Sequence, residues 1–249
     1  MEFGPQLAEG KTKIVYAHPT DATRAVLVHK DGISAGDGVR RNLIAGKGAL
    51  SGRTAANVFA LLNRNGIATH FIDAPELTAM QVRRCAMIPV EVVMRRRATG
   101  SFLKRNPGIT EGTHFDPPLV EYFLKDDARH DPQMRADEMV TLGFVTTAEA
   151  EHIAAEGVRV FEVVEQAWAT QHVTLVDLKI EFGHDSAGNL IVADMIDNDS
   201  WRIWPGGDKA QMLDKQVYRN LGEVGDNDLA QVKRLYETVA TMTDEWWEE

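Results

Sequence analysis

The chain has 249 residues, 44% of them hydrophobic and 26% charged, which is ordinary for a soluble globular protein and sufficient for one large domain or two small lobes. It has no apolar run long enough to span a bilayer, no apolar signal-peptide core at its N-terminus, and only one cysteine, Cys85, which excludes an intrachain disulfide and a four-cysteine zinc site. The formal net charge of −10 argues against broad binding to nucleic acid or to an anionic membrane, and we expect a cytoplasmic protein that concentrates its positive charge locally.

The N-terminal part of the chain reads mainly as strands. A glycine-rich loop at 34–38 interrupts them, and residues 51–65 have apolar side chains at helical spacing. Gly66 stands where a helix terminator belongs, so this helix is expected to end there. Strands are predicted at 14–16, 25–29, 68–72 and 88–94.

The later part of the chain contains the longest predicted helices. Residues 107–132 are rich in Pro, Gly and Asp, and we expect mostly loop there. Thr146 and Glu149 form a capping box that opens a long helix, and another amphipathic helix begins at about Asp228. Because helices flank a later hairpin, the sequence predicts an α+β fold of two lobes with mainly antiparallel sheets and a cleft between the lobes.

That hairpin, at residues 175–202, is the most informative segment of the chain. Its first run alternates strictly, so Asp177, Lys179 and Glu181 share one face of a strand. After a turn rich in Gly, Asp, Ser and Asn, a second apolar run ends on Asp194. The hairpin is therefore expected to bring Asp194 back towards Glu181.

The charge balance of the hairpin suggests a bound cation. The segment holds six carboxylates but only two strong cations, Lys179 and Arg202. Hard oxygen ligands that converge in this way suit Mg²⁺ or Mn²⁺ carrying substrate phosphates. The alternative is a half-buried strand whose charged face lies in water, as antiparallel sheets often have.

A glycine turn with two lysines, Lys11 and Lys13, lies near the N-terminus. It is not a Walker A motif, because Pro5 stands where the first glycine belongs and because the turn leads into a strand. A glycine turn on a β-hairpin covers phosphates in kinases, so the segment is either a phosphate-covering loop or an exposed basic loop.

The main basic cluster spans residues 95–105. The predicted strand places Arg95 and Arg97 on one face, and Gly100 and Ser101 then offer backbone N–H groups and a hydroxyl. This combination suits a phosphate monoester, because arginine makes bidentate contacts with phosphate oxygens. The alternative, a nuclear-import or RNA-binding patch, lacks interleaved aromatic residues.

Taken in order, the short motifs resemble those of the phosphoribosylaminoimidazole-succinocarboxamide synthase (SAICAR synthetase) family of purine biosynthesis. The resemblance covers nearly the whole chain, and the ordered set is specific although each motif alone is weak. The motifs are Gly10–Lys13, Ser34–Gly38, Arg97–Ser101, His130–Pro132, Leu175–Gly183 and Asp194–Trp204. The resemblance implies a single two-lobed α+β domain over 1–249, with a nucleotide-covering lobe at 1–95, a substrate and metal lobe at 96–249, and ATP in the cleft between them.

The resemblance also implies a reaction and a set of site residues. ATP drives the joining of carboxyaminoimidazole ribotide (CAIR) to L-aspartate, with ADP and phosphate released. On the matching positions, Lys11 and Lys13 would contact ATP phosphates, backbone groups near Cys85 and Met87 would hold adenine, and Glu181 and Asp194 would bind Mg²⁺. The ribotide would be held by Arg95, Ser101, Arg202 and Asp37, while Asp177, Lys179 and Asp131 would line the reacting centre.

One departure from the family pattern concerns residue 195. Bacterial-type members usually have a glutamate after the aspartate, whereas this chain has Met195 after Asp194. This version, with Trp201 and the 204–208 segment, is similar to the synthetase domain of the animal bifunctional enzyme. That enzyme carries a carboxylase domain after the synthetase, and we expect none in this chain, which ends at Glu249. The family also implies a homo-oligomer, with no nucleic-acid or membrane partner.

The hypothesis at this point is a carboxylate–amine ligase that works through an acyl phosphate. A carboxylate is a poor electrophile, and phosphorylation supplies a leaving group that the aspartate amine can displace. The rival enzyme is a small-molecule or protein kinase, although the chain lacks the His-Arg-Asp and Asp-Phe-Gly motifs of protein kinases. The non-enzymatic rival is a nucleotide-sensing or RNA-binding module.

Overall fold

The computed structural model of the protein describes residues 2–36 and 38–247. An antiparallel sheet is formed early in the chain, with its strands in the order β1-β2-β3-β7-β6. Its members are β1 (Gln6–Glu9), β2 (Lys13–Ala17), β3 (Arg24–His29), β6 (Phe71–Glu76) and β7 (Ala79–Arg83). The turn between β1 and β2 is the glycine turn that carries the two N-terminal lysines.

A second antiparallel sheet carries the acidic hairpin, with the order β10-β9-β8-β11-β12 and with β13 also paired to β11. Its strands are β8 (Ala86–Arg97), β9 (His114–Leu124), β10 (Gln133–Met134), β11 (Val173–His184), β12 (Leu190–Ala193) and β13 (Trp201–Pro205). The β11 strand lies in the interior of this sheet, because β8 pairs with one edge and β12 and β13 share the other.

The remaining elements are a small hairpin and the helices. The hairpin consists of β4 (Gly32–Ala35) and β5 (Arg40–Leu43). The helices are α1 (Lys47–Arg64), α2 (Ser101–Arg105), α3 (Ala136–Thr141), α4 (Thr147–Ala169), α5 (Gln216–Asn220) and α6 (Asp226–Asp244). In the described part of the chain, no helix is both long and apolar enough to cross a membrane.

Two hydrophobic clusters hold these elements together. The larger cluster joins α1 and α4 to both sheets, and Phe59, Phe161 and Trp168 are among its fully buried side chains. The smaller cluster lies between the β4–β5 hairpin, α5 and α6, where Tyr218 and Tyr236 are buried. The small hairpin is thus packed against the C-terminal helices rather than against the large sheets.

Locally encoded elements were predicted well. The acidic hairpin forms as expected, with Glu181 opposite Ala193 in an antiparallel register. The capping box at the start of α4 is confirmed, since Thr146 Oγ1 accepts a hydrogen bond from the backbone N–H of Glu149 and the Glu149 carboxylate accepts one from the backbone N–H of Thr146. The α1 helix begins four residues before the predicted position, and Gly66 follows it with a φ of 72°.

The prediction of mostly loop over residues 107–132 missed a strand in the middle of this range. The strand β9 occupies the middle of this range and pairs with β8. Two adjacent prolines, Pro117 and Pro118, hide the strand pattern, and they lie where the β8–β9 register shifts between Arg95 and Arg97. Proline is tolerated at such an irregularity because no ladder hydrogen bond is required of it there.

Two buried histidines make the fold sensitive to acid. His29 and His70 are 6% and 4% exposed, and neither ring makes a hydrogen bond through its nitrogens. Burial, together with the nearby charge of Lys13, lowers the pKa of His29 to about 4 and the pKa of His70 to about 3. Both rings are therefore neutral in the folded protein at pH 7.

We predict that the free energy of unfolding falls as the pH drops below 6.5. The unfolded chain then binds protons that the folded histidines do not, which costs up to about 1.4 kcal/mol per pH unit for each ring. His70→Phe should keep the edge contact with Phe59 and remove about half of this pH dependence, as measured by urea unfolding at pH 7 and pH 5. The exposed His152→Phe is the control, and an unchanged slope in His70→Phe would contradict the prediction.

Candidate functional site

A large cleft lies between the first sheet, the acidic face of β11 and the β4–β5 hairpin. Its volume is about 1650 Å³, which exceeds that of most small-ligand pockets. Most of the residues singled out from the sequence line this one cleft. They are Lys11, Lys13, Cys85, Met87, Arg95, Asp131, Asp177, Lys179, Glu181, Asp194 and Arg202.

The acidic face of β11 is buried rather than solvated. Asp177 and Glu181 are 6% and 2% exposed, so the alternative of a charged face in water is wrong. Glu181 accepts hydrogen bonds from Lys125 at 2.6 Å and lies 3.6 Å from Lys179, whose Nζ is 2.5 Å from Glu91. Part of the positive charge that balances the hairpin carboxylates is therefore supplied by other elements of the fold.

The ionisation of this cluster follows from competition between burial and charge. Burial raises the pKa of Glu181, but Lys179 and Lys125 outweigh it and hold that pKa below its usual range. Burial lowers the pKa of Lys179, but Glu91 and Glu181 outweigh it and raise that pKa. The face thus holds ionised carboxylates and ionised lysines side by side.

The second lysine of the glycine turn reaches across the cleft to the hairpin. Lys13, on β2, forms an ion pair with Asp194, which directly follows β12. Burial lowers the pKa of Lys13 to about 8, although Glu181 opposes this shift. Lys11 lines the same cleft. The turn is therefore not an isolated surface loop, because it closes over the acidic face of the second sheet.

Asp194 has an unusual backbone conformation. Its φ of 68° lies in the left-handed region, which Asp and Asn tolerate better than other residues with a side chain. It lines the cleft together with Glu181, and both carboxylates interact with Lys13. Among residues 2–36 and 38–247, no three His, Cys, Asp or Glu side chains gather as a metal-ligand set, so any metal site here would rest on these two carboxylates.

A buried arginine network continues the acidic face at its other end. Asp177 accepts hydrogen bonds from Arg95 Nη1 at 2.8 Å and also from Arg202 Nη1. Arg95 further contacts Glu121, which accepts a second hydrogen bond from Arg105 at 2.7 Å. Arg95 is only 4% exposed, and its guanidinium is held between two carboxylates.

The loop before α2 lies against Arg202. Gly100 has a φ of 60°, and a Cβ there would lie 2.7 Å from Arg202 Nη2, so only glycine fits without displacing the arginine. Ser101, the next residue, begins α2 and is exposed. Arg97, predicted on the same face as Arg95, does not line the cleft, because the strand register shifts between them.

Asp131 lies at the end of a tight loop. Its φ is 46°, its Oδ1 accepts a hydrogen bond from the backbone N–H of Asp126 at 2.8 Å, and it lines the cleft. One of its carboxylate oxygens is therefore engaged in closing the loop. The predicted substrate-binding Asp37 lies outside the described residues.

The connection between the two sheets forms another wall of the cleft. Cys85 lies between β7 and β8, and burial raises the pKa of its thiol to about 11. Gly183 on β11 packs against this connection, since a Cβ there would lie 2.9 Å from Cys85 Cβ and 3.1 Å from Met87 Sδ. Because β11 approaches this connection closely at Gly183, backbone groups form the cleft wall next to Cys85 and Met87, the residues predicted to hold adenine.

A second charged cluster in the cleft was not identified from the sequence. Asp199 lies 2.7 Å from Lys215 Nζ and 3.7 Å from Lys47 Nζ, and it accepts a hydrogen bond from the Tyr236 hydroxyl. Burial raises the pKa of Asp199, but the two lysines outweigh it and lower that pKa. These partners come from three separate elements, and the only local signal was the charged 197–199 turn.

Comparison with known proteins shows which protein family this chain matches. The family model described as SAICAR synthetase matches residues 6–235. The chain is 67% identical over 246 residues to the phosphoribosylaminoimidazole-succinocarboxamide synthase of Roseiflexus sp. (strain RS-1), covering 99% of both chains. A solved SAICAR synthetase in complex with ADP is 32% identical, with a TM-score of 0.85 and coverage of 95% of this chain and 96% of that one.

The chain is also similar to the animal bifunctional enzyme. The bifunctional carboxylase/synthetase of Drosophila melanogaster is 46% identical over 245 residues, which cover 96% of this chain and 57% of that protein. The Roseiflexus enzyme is more similar to this chain than the animal enzyme is, at 67% against 46% identity.

Proposed function

Because the chain belongs to the SAICAR synthetase family, we propose that its cleft joins CAIR to L-aspartate through an acyl phosphate. Members of this family are ATP-dependent ligases of purine biosynthesis. The observation that carries the proposal is one cleft that combines the lysines of the glycine turn, two hairpin carboxylates and Arg202. ATP, CAIR and L-aspartate are its substrates, and SAICAR, ADP and phosphate are its products.

We assign the nucleotide to the side of the cleft formed by the first sheet. Lys11 and Lys13 would neutralise the ATP phosphates, as cations on a glycine turn do in kinases. The apolar strand residues Val15, Leu27 and Val82 line the same region and suit a purine ring. Backbone groups between Cys85 and Met87 would hydrogen-bond adenine. The N-terminal lobe, residues 1–95, would cover the nucleotide. The C-terminal lobe, residues 96–249, would hold the substrates and the metal.

We propose that Glu181 and Asp194 hold Mg²⁺. Their oxygen atoms are the hard ligands that this ion prefers, and two carboxylates suffice because Mg²⁺ usually takes one or two together with waters and substrate phosphates. When bound, the ion would neutralise phosphate charge during phosphoryl transfer. Lys13 and Lys125, which now pair with these carboxylates, would then be available to bind phosphate oxygens.

The ribotide phosphate is assigned to the arginine end of the cleft. Arg202 lines the cleft beside Gly100, and its guanidinium together with the hydroxyl of Ser101, the next residue after Gly100, would suit a phosphate monoester. Arg95 is already held by Asp177 and Glu121, so its part would be to orient Asp177 and to add positive charge nearby. Asp37 would contribute a further contact to the ribotide.

This arrangement supports a two-step reaction at a fixed position. An oxygen of the CAIR carboxylate attacks the γ-phosphorus of ATP, the bond to ADP breaks, and an acyl phosphate forms. The aspartate amine then attacks the acyl carbon, phosphate leaves and the amine loses a proton. Lys179 and Asp177 lie beside this centre, with Asp131 at its edge, where their charges would hold the reactants in place. The enzyme itself forms no covalent intermediate.

Two broader properties complete the proposal. We infer a cytoplasmic enzyme and a homo-oligomer, both on the strength of family membership. The substrates are small molecules, and neither nucleic acid nor a membrane has a part in the reaction. The formal net charge of −10 is consistent with this, because the cations are concentrated in the cleft.

The direct test measures ADP release by the purified protein with ATP, Mg²⁺, CAIR and L-aspartate. We expect release only when both CAIR and L-aspartate are present, with an amide product detected by mass spectrometry. A stable phosphoester that forms without L-aspartate would indicate a kinase instead. Nucleotide binding without any turnover would indicate a sensing module.

Asp194→Asn should lower turnover at least ~100-fold, on the scale of losing a metal-site partner. Asparagine tolerates the left-handed backbone of this position, so the change removes charge while it preserves the bend. Steady-state turnover is measured at saturating Mg²⁺. Asp185→Asn in the hairpin turn is the matched control, and near-normal turnover in Asp194→Asn would rule out the proposed role.

The affinity for ATP should weaken above pH 8. Because the pKa of Lys13 is lowered to about 8, its positive charge is present below that pH and is lost as the pH rises through it. If this charge binds phosphate, KM for ATP rises up to about tenfold between pH 7 and pH 9, following the charged fraction. Lys13→Arg keeps the charge and should flatten the profile. A wild-type KM that does not change over this range would contradict the assignment.

A further inference from the structure

The short helix α5 is joined to the β4–β5 hairpin by one arginine. Arg40 donates hydrogen bonds to the backbone carbonyls of Tyr218 at 3.0 Å, Arg219 at 3.1 Å and Gly222 at 3.0 Å, and it also contacts the carbonyl of Leu221. A guanidinium offers five donors in a fixed fork, which lets one side chain satisfy several carbonyls at once. These carbonyls lie at or just beyond the C-terminal end of α5, where a helix leaves its last carbonyls short of helical donors.

Two further contacts reinforce the same junction. The Tyr218 hydroxyl donates a hydrogen bond to Asn42 Oδ1 at 2.7 Å, and the Arg40 guanidinium lies 4.8 Å from the centre of the Tyr218 ring. Tyr218 is completely buried in the smaller hydrophobic cluster. We call the contacts of Arg40, Asn42 and Tyr218 the hairpin–α5 junction.

The opposite end of α5 is fixed independently. The buried carboxylate of Asp214 accepts hydrogen bonds from the backbone N–H of Gln216 at 2.8 Å and from that of Ile203 at 3.0 Å. Lys215, the residue between, has its Nζ 2.7 Å from Asp199. The start of α5 is thus tied to the strand that carries Arg202, and the hairpin–α5 junction, together with packing against α6, holds its far end.

The two elements joined at the hairpin–α5 junction, the β4–β5 hairpin and α5, each place a cationic side chain at the cleft wall. Arg219 on α5 and Arg41 on the hairpin both line the cleft, and neither makes an ion pair with an acidic side chain in the described part of the chain. Lys215 lines the same end. Since the proposed function assigns the ATP phosphates to Lys11 and Lys13 and the ribotide phosphate to Arg202, the charges of Arg41 and Arg219 are left to bind the two carboxylates of L-aspartate.

We propose that Arg40 is a positioning residue for the dicarboxylate substrate. It does not line the cleft, and it acts by holding the end of α5 against the hairpin, so that Arg219 and Arg41 are both kept at the cleft wall. This inference rests on the proposed function and adds to it. A misplacement of about 1 Å by a substitution far from the reacting atoms can cost about 100-fold in rate, so the position of these two elements matters to how the substrate is held.

The test is a kinetic comparison of Arg40→Ala, Arg40→Lys and Tyr218→Phe with the wild-type enzyme. Each substrate is varied in turn while the other two are saturating, and melting temperature is measured in parallel. We expect Arg40→Ala to raise KM for L-aspartate about tenfold or more while KM for ATP stays within about twofold. Tyr218→Phe should shift the same KM in the same direction by a smaller factor, because it removes only the hydroxyl contact.

Arg40→Lys separates charge from geometry. A lysine keeps the positive charge but lacks the planar fork that bridges several carbonyls. Partial rescue of KM for L-aspartate is therefore expected, whereas full rescue would show that charge alone matters and would overturn the proposal. Arg135→Ala is the matched control, because Arg135 pairs with Asp137 on the surface, and its kinetics should be unchanged.

The remaining outcomes also decide the question. An unchanged KM for L-aspartate in Arg40→Ala, or an equal rise in KM for all three substrates, would contradict the positioning role while the ligase function stands. If Arg40→Ala fails to fold, Arg40→Lys and Tyr218→Phe carry the test. Failure of the wild-type enzyme to couple ADP release to CAIR and L-aspartate would instead contradict the proposed function itself.

Discussion

The structure depends on the neutralisation of a row of carboxylates within the second sheet. Asp177 and Glu181 lie on a strand that is buried on both faces, and isolated charges in such a place would be strongly destabilising. Their partners come from elsewhere in the chain: Lys125 follows β9, Arg95 lies on β8 and Arg202 lies on β13. The charge balance of the sheet therefore depends on contacts between several elements, and removing one partner would leave a buried carboxylate uncompensated.

The same charge pattern connects folding with catalysis. The cleft holds ionised carboxylates and lysines in contact, so an anion that enters it meets groups that are already charged and already positioned. The charged groups that stabilise the fold are thus largely the ones assigned to the substrates. Arg95 is the exception, because its guanidinium is held between Asp177 and Glu121 and it is proposed only to orient its neighbours.

Features that depend on neighbouring residues could be predicted from the sequence, whereas features that depend on contacts between distant parts of the chain could not. The acidic hairpin and the start of α4 follow from alternation and a capping box, and both were predicted. The β9 strand was missed because its adjacent prolines mask it, and its assignment depends on pairing with β8. The partners of Asp199 were missed for a related reason, since Lys47 and Tyr236 reach it from distant helices. The resemblance to a family supplied site roles that local patterns did not.

The left-handed backbone of Asp194 restricts which residues evolution can place at that position. Glycine and asparagine tolerate this conformation but carry no charge, while glutamate carries the charge but is poorly suited to the bend. Aspartate alone combines a short anionic side chain with ready access to this region of conformational space. Where both the left-handed backbone and the negative charge are required, aspartate is the one amino acid that supplies both. Only synonymous codon changes are then neutral at this position.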